Sequence, residues 1–392
     1  MLDYNRILSE KVLGTKPSGI RKFFDLLEEM KDVISLTVGQ PDFVTPWHIR
    51  EAGIESLEKG KTYYTSNSGT IELRKEISKY LSRRFSLGYS AENEIIVTVG
   101  GSEAIDIALR AVINKGDEII IPSPCFVCYD PLVSISGGIP VIVNTRMEDK
   151  FKLTPELLKS AITPKTKALI LSYPNNPTGA IMTKEDLEPI VEILRDTDIL
   201  VISDEIYAEL TYGKNHCSIA TFEGMRERTI VVNGFSKAYA MTGWRLGYVA
   251  APVPITEQML KIHQYCIMCS PTTSQFAAIQ AMREGDPDVR MMCDEYDRRR
   301  RYLLHHLERI DIDCFEPEGA FYVFPYVGKF GMTSEQFCER LLFEKGVAIV
   351  PGGAFGDCGE GFARISYAYS IQHLTVALER IEEFVNELKA QN

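Results

Sequence analysis

The sequence predicts an α/β fold in which a mostly parallel, seven-stranded sheet is flanked by helices and joined by a smaller α+β domain. Three observations support this prediction. Short apolar runs alternate with helical periodicity from about residue 94 to residue 252. After residue 252 the pattern changes to charged helices and short strands. The chain has 392 residues, more than one hydrophobic core usually accommodates, so we expect two domains.

The seven strand candidates are continuous apolar runs that do not alternate with polar residues. Such runs are typical of strands that are buried on both faces of a parallel sheet. The candidates are 94–99, 118–121, 140–144, 168–172, 199–203, 229–233 and 247–251. Helical patterns separate them, which favours a sheet covered by helices.

A helix is predicted directly after the first strand, in GSEAIDIALRAVIN (101–114). Its apolar residues at 105, 108, 109, 112 and 113 form one face. Ser102 and Glu103 at its start are typical of a helix N-terminus. Because this end of a helix offers free N–H groups and the positive end of the dipole, we expect an anion site here.

After residue 252 the chain is interpreted as further helices followed by the α+β domain. The expected helices are 255–283 with an interruption at Ser270-Pro271, 286–309, 334–345 and 371–388, and the expected strands are 320–324, 347–350 and 362–366. The N-terminal residues, with a helix near 20–31, are expected to join this domain. The predicted boundaries are therefore 47–285 for a large domain, and 1–46 with 286–392 for a small one. Arg298 to Arg301 are expected on a solvated or interface face of helix 286–309, and His305-His306 are expected to face solvent.

Charge and hydropathy exclude several classes of function. The net charge of −11 and pI of about 5.2 disfavour partners such as nucleic acid and anionic membrane. No apolar run approaches the roughly 20 residues of a membrane span. The first residues, MLDYNRILSEKVLG, are too charged for a secretory signal. We therefore expect a cytoplasmic protein.

The nine cysteines are scattered, and we expect free thiols of a reducing compartment. Two CxxC pairs occur, Cys125/Cys128 and Cys266/Cys269. Bulky apolar residues lie between the paired cysteines and no glycine knuckle surrounds them, so we expect neither a zinc site nor a thioredoxin-like redox pair. The histidines show no metal-ligand spacing, and no metal is expected.

Polar residues follow five of the predicted strands. Ligands of parallel sheets bind beyond the carboxyl ends of the strands, so we expect these residues to meet at one site. The segments are GGSEA (100–104), PSPCF (122–126), YPNNPTG (173–179), DEIY (204–207) and GFSK (234–237).

The residue types in these segments suggest a phosphate and a reactive lysine. Ser236 and Arg245 could join the helix N-terminus in binding an anion. Lys237 lies in an apolar segment beside a second cation, which would lower its pKa and make its amine a nucleophile toward an aldehyde. Asp204 could hold a proton on a ring nitrogen, and Tyr207 could reach a ring hydroxyl. With Phe126 stacked on a flat ring, these features describe pyridoxal phosphate.

The sequence resembles the class I/II aminotransferases of the aspartate aminotransferase superfamily, the pyridoxal-phosphate-dependent fold type I. The likeness covers essentially the whole chain, from LTVGQPDF (36–43) to FARISYA (362–368). Its most specific parts are SK (236–237) with TGWRLG (242–247), followed by NNPTG (175–179) and DEIY (204–207). The resemblance implies an enzyme that moves an amino group from an L-amino acid to a 2-oxo acid, with 2-oxoglutarate as acceptor, by a ping-pong mechanism.

The resemblance also implies a role for each matching residue. Lys237 would form the aldimine with pyridoxal 5'-phosphate and then shuttle the substrate proton, and Asp204 would keep the ring nitrogen protonated. Asn176 and Tyr207 would bind the ring oxygen, and Phe126 would stack on the ring. The phosphate would be held by Gly101, Ser102, Glu103, Ser236 and Arg245.

Further residues are assigned to the substrate and to a second subunit. Arg364 would grip the α-carboxylate, with Gly39 and Asn176 close by. Ile20 would lie near the substrate side chain, where an aromatic, branched or long-chain donor is expected. Tyr64 would reach the phosphate of a neighbouring subunit, which implies a homodimer with shared active sites.

Other functions are weighed against this one. A serine hydrolase would need G-x-S-x-G, and the second glycine is missing after Ser236. A Rossmann or P-loop enzyme would need its glycine motif after the first strand, and neither motif is present. An effector-binding domain of a transcription regulator would follow a DNA-binding domain, yet the enzyme pattern begins near the start of this chain. A carbon–sulfur β-lyase with the same cofactor is the alternative left open.

Overall fold

The structure is a computed structural model, and it describes residues 2–15, 17 and 32–391. The predicted helix near 20–31 and the predicted substrate contact Ile20 lie outside the described residues. None of the described helices combines the length and the apolar character that a membrane span requires.

The large sheet has the seven strands that the sequence predicts. They are β2 (Ile95–Thr98), β3 (Glu118–Ser123), β4 (Ile139–Asn144), β5 (Thr166–Ser172), β6 (Leu200–Asp204), β7 (Thr229–Gly234) and β8 (Gly247–Ala250). Their spatial order is β2-β8-β7-β6-β5-β3-β4. Strand β8 runs antiparallel to both of its neighbours and the remaining pairs are parallel, which confirms a mostly parallel sheet.

Burial explains why the strands in the middle of the sheet lack alternation. Every residue of β7 is buried, because helices cover both faces of the sheet there. The edge strand β4 differs, since Ile139 and Ile142 are each 45% exposed. The continuous apolar runs therefore mark the sheet centre, where β5, β6 and β7 end at the same edge.

Helices pack around this sheet and extend from it in both directions along the chain. The α-helices up to residue 284 are α1 (Tyr4–Ile7), α2 (Glu10–Leu13), α3 (Trp47–Glu58), α4 (Ile71–Phe85), α5 (Gly100–Val112), α6 (Tyr129–Ser136), α7 (Pro155–Ala161), α8 (Lys184–Arg195), α9 (Val253–Cys266) and α10 (Thr272–Glu284). The predicted helix after the first strand is thus α5, and the predicted break at Ser270-Pro271 separates α9 from α10.

The C-terminal part has the predicted α+β character. Its helices are α11 (Asp286–Arg309), α12 (Ser334–Lys345) and α13 (Ile371–Gln391), and its strands are β9 (Tyr322–Val323), β10 (Val347–Ala348), β11 (Val350–Pro351) and β12 (Ala363–Ser366). Strand β1 (Ile34–Ser35) pairs in parallel with β10. Strands β11, β12 and β9 form a separate antiparallel sheet, in that order. Short 3-10 turns occur at Ile219–Thr221, Arg226–Arg228, Gly328–Phe330, Gly352–Phe355 and Asp357–Gly359.

One hydrophobic cluster joins the two parts of the chain. It contains Tyr207 and Leu210, which follow β6, together with Phe321 and Tyr322 of the C-terminal part and Leu36 from the segment after β1. The edge of the large sheet and the small antiparallel sheet therefore share a core. A site at the carboxyl ends of the large strands is closed from one side by β9 and β12.

Two predictions of exposure on α11 are wrong. Arg299 and Arg300 are buried, because carboxylates compensate their charges: Arg299 pairs with Asp42 and Arg300 with Glu316, both at 2.8 Å. His306 is also buried, with Nε2 lying 3.4 Å from Glu382 of α13. These partners are distant in sequence, so helical periodicity alone does not reveal them. Arg298, Arg301 and His305 are exposed as expected.

Candidate active site

Most of the predicted site residues line a single cavity of about 540 Å³. It lies where β5, β6 and β7 end and where the small sheet faces them. The predicted residues in its wall are Gly39, Gly101, Ser102, Phe126, Asn176, Asp204, Tyr207, Ser236, Lys237, Arg245 and Arg364. Segments far apart in the chain are thus brought together, as the strand order requires.

One end of the cavity is shaped for an anion. Helix α5 begins here, and Ser102 and Ser236 line the wall beside it. Gly100 has a φ of +78°, and a Cβ at this position would come within 2.6 Å of the Arg245 Nη2 atom. The glycine therefore lets the guanidinium approach the helix N-terminus, where both favour negative charge.

Arg245 has no carboxylate partner among the described residues. Its Nη1 atom donates to the carbonyl of Thr242 at 3.0 Å, and the rest of the fork is available to a ligand. A cation without a counter-ion beside a helix N-terminus fits a doubly charged group such as a phosphate.

Lys237 extends from the end of the buried strand β7 into the same cavity. Its Nζ atom donates to the Gly39 carbonyl and lies 5.7 Å from the centroid of the Tyr207 ring. Burial, and then the charges of Arg364 and Arg245, lower the pKa of Lys237 from 10.5 to about 8. A usable fraction of the amine is therefore neutral near pH 7, as a nucleophile or base requires.

Asp204 is a buried carboxylate at the last position of β6. Burial raises its pKa, and a hydrogen bond from the Tyr129 hydroxyl, at 2.7 Å, acts in the opposite direction. The backbone N–H of Ile206 donates to the other oxygen at 3.2 Å. These two hydrogen bonds hold the carboxylate in one orientation in the cavity wall.

Tyr129 is a site residue that the sequence analysis missed. Its hydroxyl lies 2.7 Å from Asp204 and 2.8 Å from the Ser172 hydroxyl, and its ring meets Phe126 edge-on at 6.1 Å. It is the first residue of α6, one turn after Phe126. A polar aromatic residue shortly after a strand end could have indicated a site residue, because it lies near the same edge of the sheet as the residues that follow the other strands.

Arg364 is a buried cation on β12 and lines the same cavity. Its Nη1 atom donates to Asn176 Oδ1 at 2.9 Å and its Nη2 atom donates to the Thr37 carbonyl. The Nε atom has no hydrogen-bond partner, and no carboxylate pairs with the guanidinium within the described ranges. Because a buried charge without a counter-ion is costly, this group fits the carboxylate of a bound substrate.

Asn175 and Asn176 have different roles in the NNPTG turn. The Asn175 side chain accepts from the backbone N–H of Thr178 at 3.1 Å and from its hydroxyl at 2.8 Å. Its amide group also donates to the Pro124 and Ser172 carbonyls. The first asparagine thus fixes the turn, and the second faces Arg364 in the cavity.

Tyr322 is a second residue that the motifs did not reveal. It is fully buried on β9, and its hydroxyl lies 2.7 Å from that of Tyr207. The guanidinium of Arg364 lies over its ring, 4.6 Å from the centroid. Tyr322 therefore contacts two predicted site residues at once.

Two predicted site residues that the structure describes, Glu103 and Tyr64, are not in the cavity wall. The Glu103 carboxylate accepts from the backbone N–H of Val99 and contacts His263 Nδ1, so its side chain secures the start of α5 and does not face an anion. The predicted phosphate contact of Glu103 is therefore left to its backbone N–H, which lies in the first turn of α5. Tyr64 is 78% exposed on the segment between α3 and α4. Ile20 lies outside the described residues.

Comparisons with known proteins agree with this geometry. A model of the family "Aminotransferase class I and II" matches residues 31–381. The Bacillus subtilis protein named putative aminotransferase YugH is 54% identical over 380 residues, which cover 97% of this chain and 98% of that protein. The aspartate aminotransferase of Pyrococcus abyssi is 46% identical over 97% of this chain and 99% of its own.

Solved structures show the same architecture. The crystal structure of the aromatic aminotransferase from Pyrococcus horikoshii OT3 superimposes with a TM-score of 0.90, at 46% identity over 94% of this chain and 99% of that one. Sequence and fold agree over nearly the full length. The chain therefore belongs to the class I and II aminotransferases, within the aspartate aminotransferase superfamily.

Proposed function

We propose that the cavity is the active site at which this aminotransferase takes the amino group of an L-amino acid and passes it to 2-oxoglutarate in a ping-pong reaction. The observation that carries the proposal is the arrangement of cations. Lys237, with its lowered pKa, and Arg364, buried without a counter-ion among the described residues, line one cavity. Lys237 supplies a neutral amine, and Arg364 can bind a carboxylate. Transamination of an amino acid requires both groups.

Aminotransferases of this family depend on pyridoxal phosphate, and the cavity fits that group. The cleft left by Gly100, with the unpaired Arg245 at the start of α5, suits its phosphate. Further contacts are proposed from Gly101, Ser102 and Ser236 to the phosphate, from Asn176 and Tyr207 to the ring oxygen, from Asp204 to the ring nitrogen and from Phe126 to the ring face. When bound, the cofactor supplies an electron sink for the carbon that loses a proton.

The protein residues then divide the work. Lys237 Nζ would take the proton from the substrate Cα and return it to the cofactor carbon on the other side of the substrate nitrogen. Arg364 binds the α-carboxylate through its fork, and Asn176 Oδ1 fixes the orientation of that fork. Asp204, held by Tyr129, keeps a proton on the ring nitrogen. Gly39 lies where the backbone meets Lys237 and has no side chain to block the substrate.

We expect Arg245→Ala to weaken binding of pyridoxal phosphate by about 10- to 100-fold, since a charge-assisted contact to the phosphate is lost. Titration of the apoenzyme, followed by cofactor absorbance, measures the change. Pyridoxal, which has no phosphate, is the matched control ligand, and its affinity should stay the same. An equal loss for both ligands would place Arg245 outside the phosphate contact.

A homodimer with shared active sites is part of the proposal. The loop carrying Tyr64 is tied to the segment between α9 and α10, because Asn67 Nδ2 donates to the Met268 carbonyl at 2.8 Å. Both segments carry large exposed side chains, Tyr64 at 78% and Met268 at 45%, and Tyr265 near the end of α9 is 87% exposed. If a second copy of the chain covered this surface, Tyr64 would reach the phosphate bound in that second subunit. Sedimentation velocity should give twice the chain mass of 44.2 kDa, and a monomer would contradict this part of the proposal.

The donor is proposed to have an aromatic, branched or long side chain. The cations in the described part of the cavity wall are Lys237, Arg245 and Arg364, and each already has a proposed role. The distal carboxylate of 2-oxoglutarate would then need a cation from the partner subunit or from residues outside the described ranges. A cytoplasmic location belongs to the same proposal and is supported by nine free cysteines.

A single-turnover experiment tests the reaction type. The enzyme loaded with pyridoxal phosphate is mixed with one amino acid at a time and no acceptor, and cofactor absorbance and products are followed. A transaminase converts its cofactor to the amino form and releases one equivalent of oxo acid. Continuous formation of pyruvate and ammonia from a cysteine conjugate would instead show a carbon–sulfur β-lyase.

A further inference from the structure

Tyr322 contacts several residues of the proposed active site, although it belongs to none of the sequence motifs. It lies on β9, and Ser366 of the neighbouring β12 is its register partner. Arg364 is two residues before Ser366, so its side chain emerges on the same face, diagonal to Tyr322. This register explains why the guanidinium lies over the phenol ring, 4.6 Å from its centroid.

The hydroxyl of Tyr322 reaches two other site residues. It lies 2.7 Å from the Tyr207 hydroxyl, which is its hydrogen-bond partner among the described residues. It also touches Gly39 so closely that a Cβ added there would clash with it. The ring therefore contacts Arg364, and the hydroxyl contacts Tyr207. Substitutions that remove only one of these groups can separate their effects.

We propose that Tyr322 is a positioning residue for both halves of the site: its ring fixes the guanidinium of Arg364, and its hydroxyl donates to Tyr207 so that Tyr207 can donate into the cavity. The inference rests on the proposed roles of Tyr207 and Arg364. It assigns to this chain a residue that acts through two others and carries no motif of its own.

The direction of the hydrogen bond follows from the proposed role of Tyr207. The two hydroxyls face each other and have one hydrogen each, so one hydrogen joins them and the other is left for the cavity. The proposed role of Tyr207 is to donate its one hydrogen to the ring oxygen, so the hydrogen between the two hydroxyls comes from Tyr322. If Tyr322 donates, the hydrogen of Tyr207 remains for an acceptor in the cavity. Linked hydrogen bonds of this kind strengthen one another.

The ring contact has a separate energetic role. Within the described ranges no carboxylate pairs with the buried Arg364 guanidinium. Two aromatic rings pack against it, with centroids at 4.6 Å for Tyr322 and 4.8 Å for Phe355. Cation–π contacts are strongest when desolvated. The ring therefore helps to keep Arg364 oriented before a carboxylate arrives, and that benefit does not require the hydroxyl.

The first test uses Tyr322→Phe, which keeps the ring and removes the hydroxyl. The enzyme loaded with pyridoxal phosphate is titrated with pH, and the midpoint of its visible absorption change is recorded. A donor to the ring oxygen favours its anionic form and lowers the midpoint, so a weaker donor should raise it. We expect an upward shift of about 0.3 pH unit, smaller than the shift of Tyr207→Phe.

The second test uses Tyr322→Leu, which removes ring and hydroxyl together. KM should rise by about 10- to 30-fold, as expected for a lost desolvated cation–π contact. L-Phenylalanine and L-aspartate share the α-carboxylate and differ in side chain, so both should be affected by the same factor. In Tyr322→Phe the KM of both should stay within about twofold of the parent enzyme, since the cation–π contact remains.

Tyr367→Phe is the matched control for a buried phenol outside the cavity wall, where its hydroxyl donates to the Ala320 carbonyl at 3.2 Å. It should change neither the midpoint nor KM. A midpoint in Tyr322→Phe equal to that of this control would overturn the relay to Tyr207. A KM that rises for one amino acid alone, or that is equal in Tyr322→Phe and Tyr322→Leu, would overturn the role of the ring.

Parallel measurements on Tyr207→Phe and Arg364→Lys separate this inference from the proposed function. If those two variants change the midpoint and KM and the Tyr322 variants do not, the inference about Tyr322 alone fails. If none of them changes either readout, the proposed roles of Tyr207 and Arg364 fail with it. Should Tyr322→Leu not fold, Tyr322→Phe still decides the hydrogen-bond relay.

Discussion

Lys237→Ala should lower kcat by more than about 10⁴-fold and remove the visible absorption band of the bound cofactor. The substitution deletes both the nucleophile that captures the aldehyde and the base that moves the Cα proton, and each contributes orders of magnitude. The loss of kcat and the loss of the absorption band should appear together, because the same amine is both the nucleophile and the base. Stopped assays with the best amino donor, together with absorbance spectra, measure them.

Two control variants define what the lysine supplies. Lys237→Arg keeps a positive charge and removes the neutral amine, so it should be as inactive as the alanine variant. Lys261→Ala removes an exposed lysine on α9 whose contact is the Gln258 side chain, and it should retain full activity. Transamination at the parental rate in Lys237→Ala would refute the assignment.

The lowered pKa gives this prediction a pH dependence. With a pKa of about 8, roughly one amine in ten is neutral at pH 7, against about one in three thousand at the ordinary value of 10.5. The rate at which apoenzyme captures pyridoxal phosphate should therefore rise with pH and level off above pH 8. Removing the neighbouring cation in Arg364→Met should move this rise to higher pH, since the Arg364 charge is one cause of the lowered pKa.

Sequence patterns located the parts of the site that lie next to strand ends. Asp204 ends β6 and Lys237 follows β7, so the rule that parallel strands deliver ligand contacts at their carboxyl ends brings both to one place. The seven strands themselves were predictable because their burial on both faces leaves continuous apolar runs. These features depend on local pattern and on topology, which the sequence expresses directly.

The residues that sequence reasoning missed depend on tertiary register. Tyr322 meets Arg364 only because β9 and β12 pair with Ser366 opposite Tyr322. Tyr129 reaches Asp204 across two elements that are 75 positions apart in the chain. The partner of the Glu103 carboxylate, His263 of α9, was not predicted either. Partners of this kind leave no periodic trace, so only the packed structure identifies them.

Arg364→Met should lower kcat/KM for amino acid donors by about 10³-fold, mostly through KM. A buried fork that binds a carboxylate through two donors contributes several kcal/mol, and methionine offers no charge and no donor. Arg364→Lys keeps the charge and loses the fork, so we expect an intermediate loss of about 10²-fold. Steady-state kinetics with several donors measure both effects, and the factor should be the same for each donor because all share the α-carboxylate.

The same substitution should not lower the melting temperature of the protein without substrate, because it removes a buried charge to which the described part of the chain supplies no counter-ion. Arg300→Met is the matched control: this arginine is also buried, on α11, but pairs with Asp297 and Glu316, outside the cavity. It should lose stability and keep KM. Opposite effects at two buried arginines would show that Arg364 is retained for binding, at the expense of stability. A marked fall in the melting temperature of Arg364→Met with unchanged KM would instead make Arg364 a structural residue.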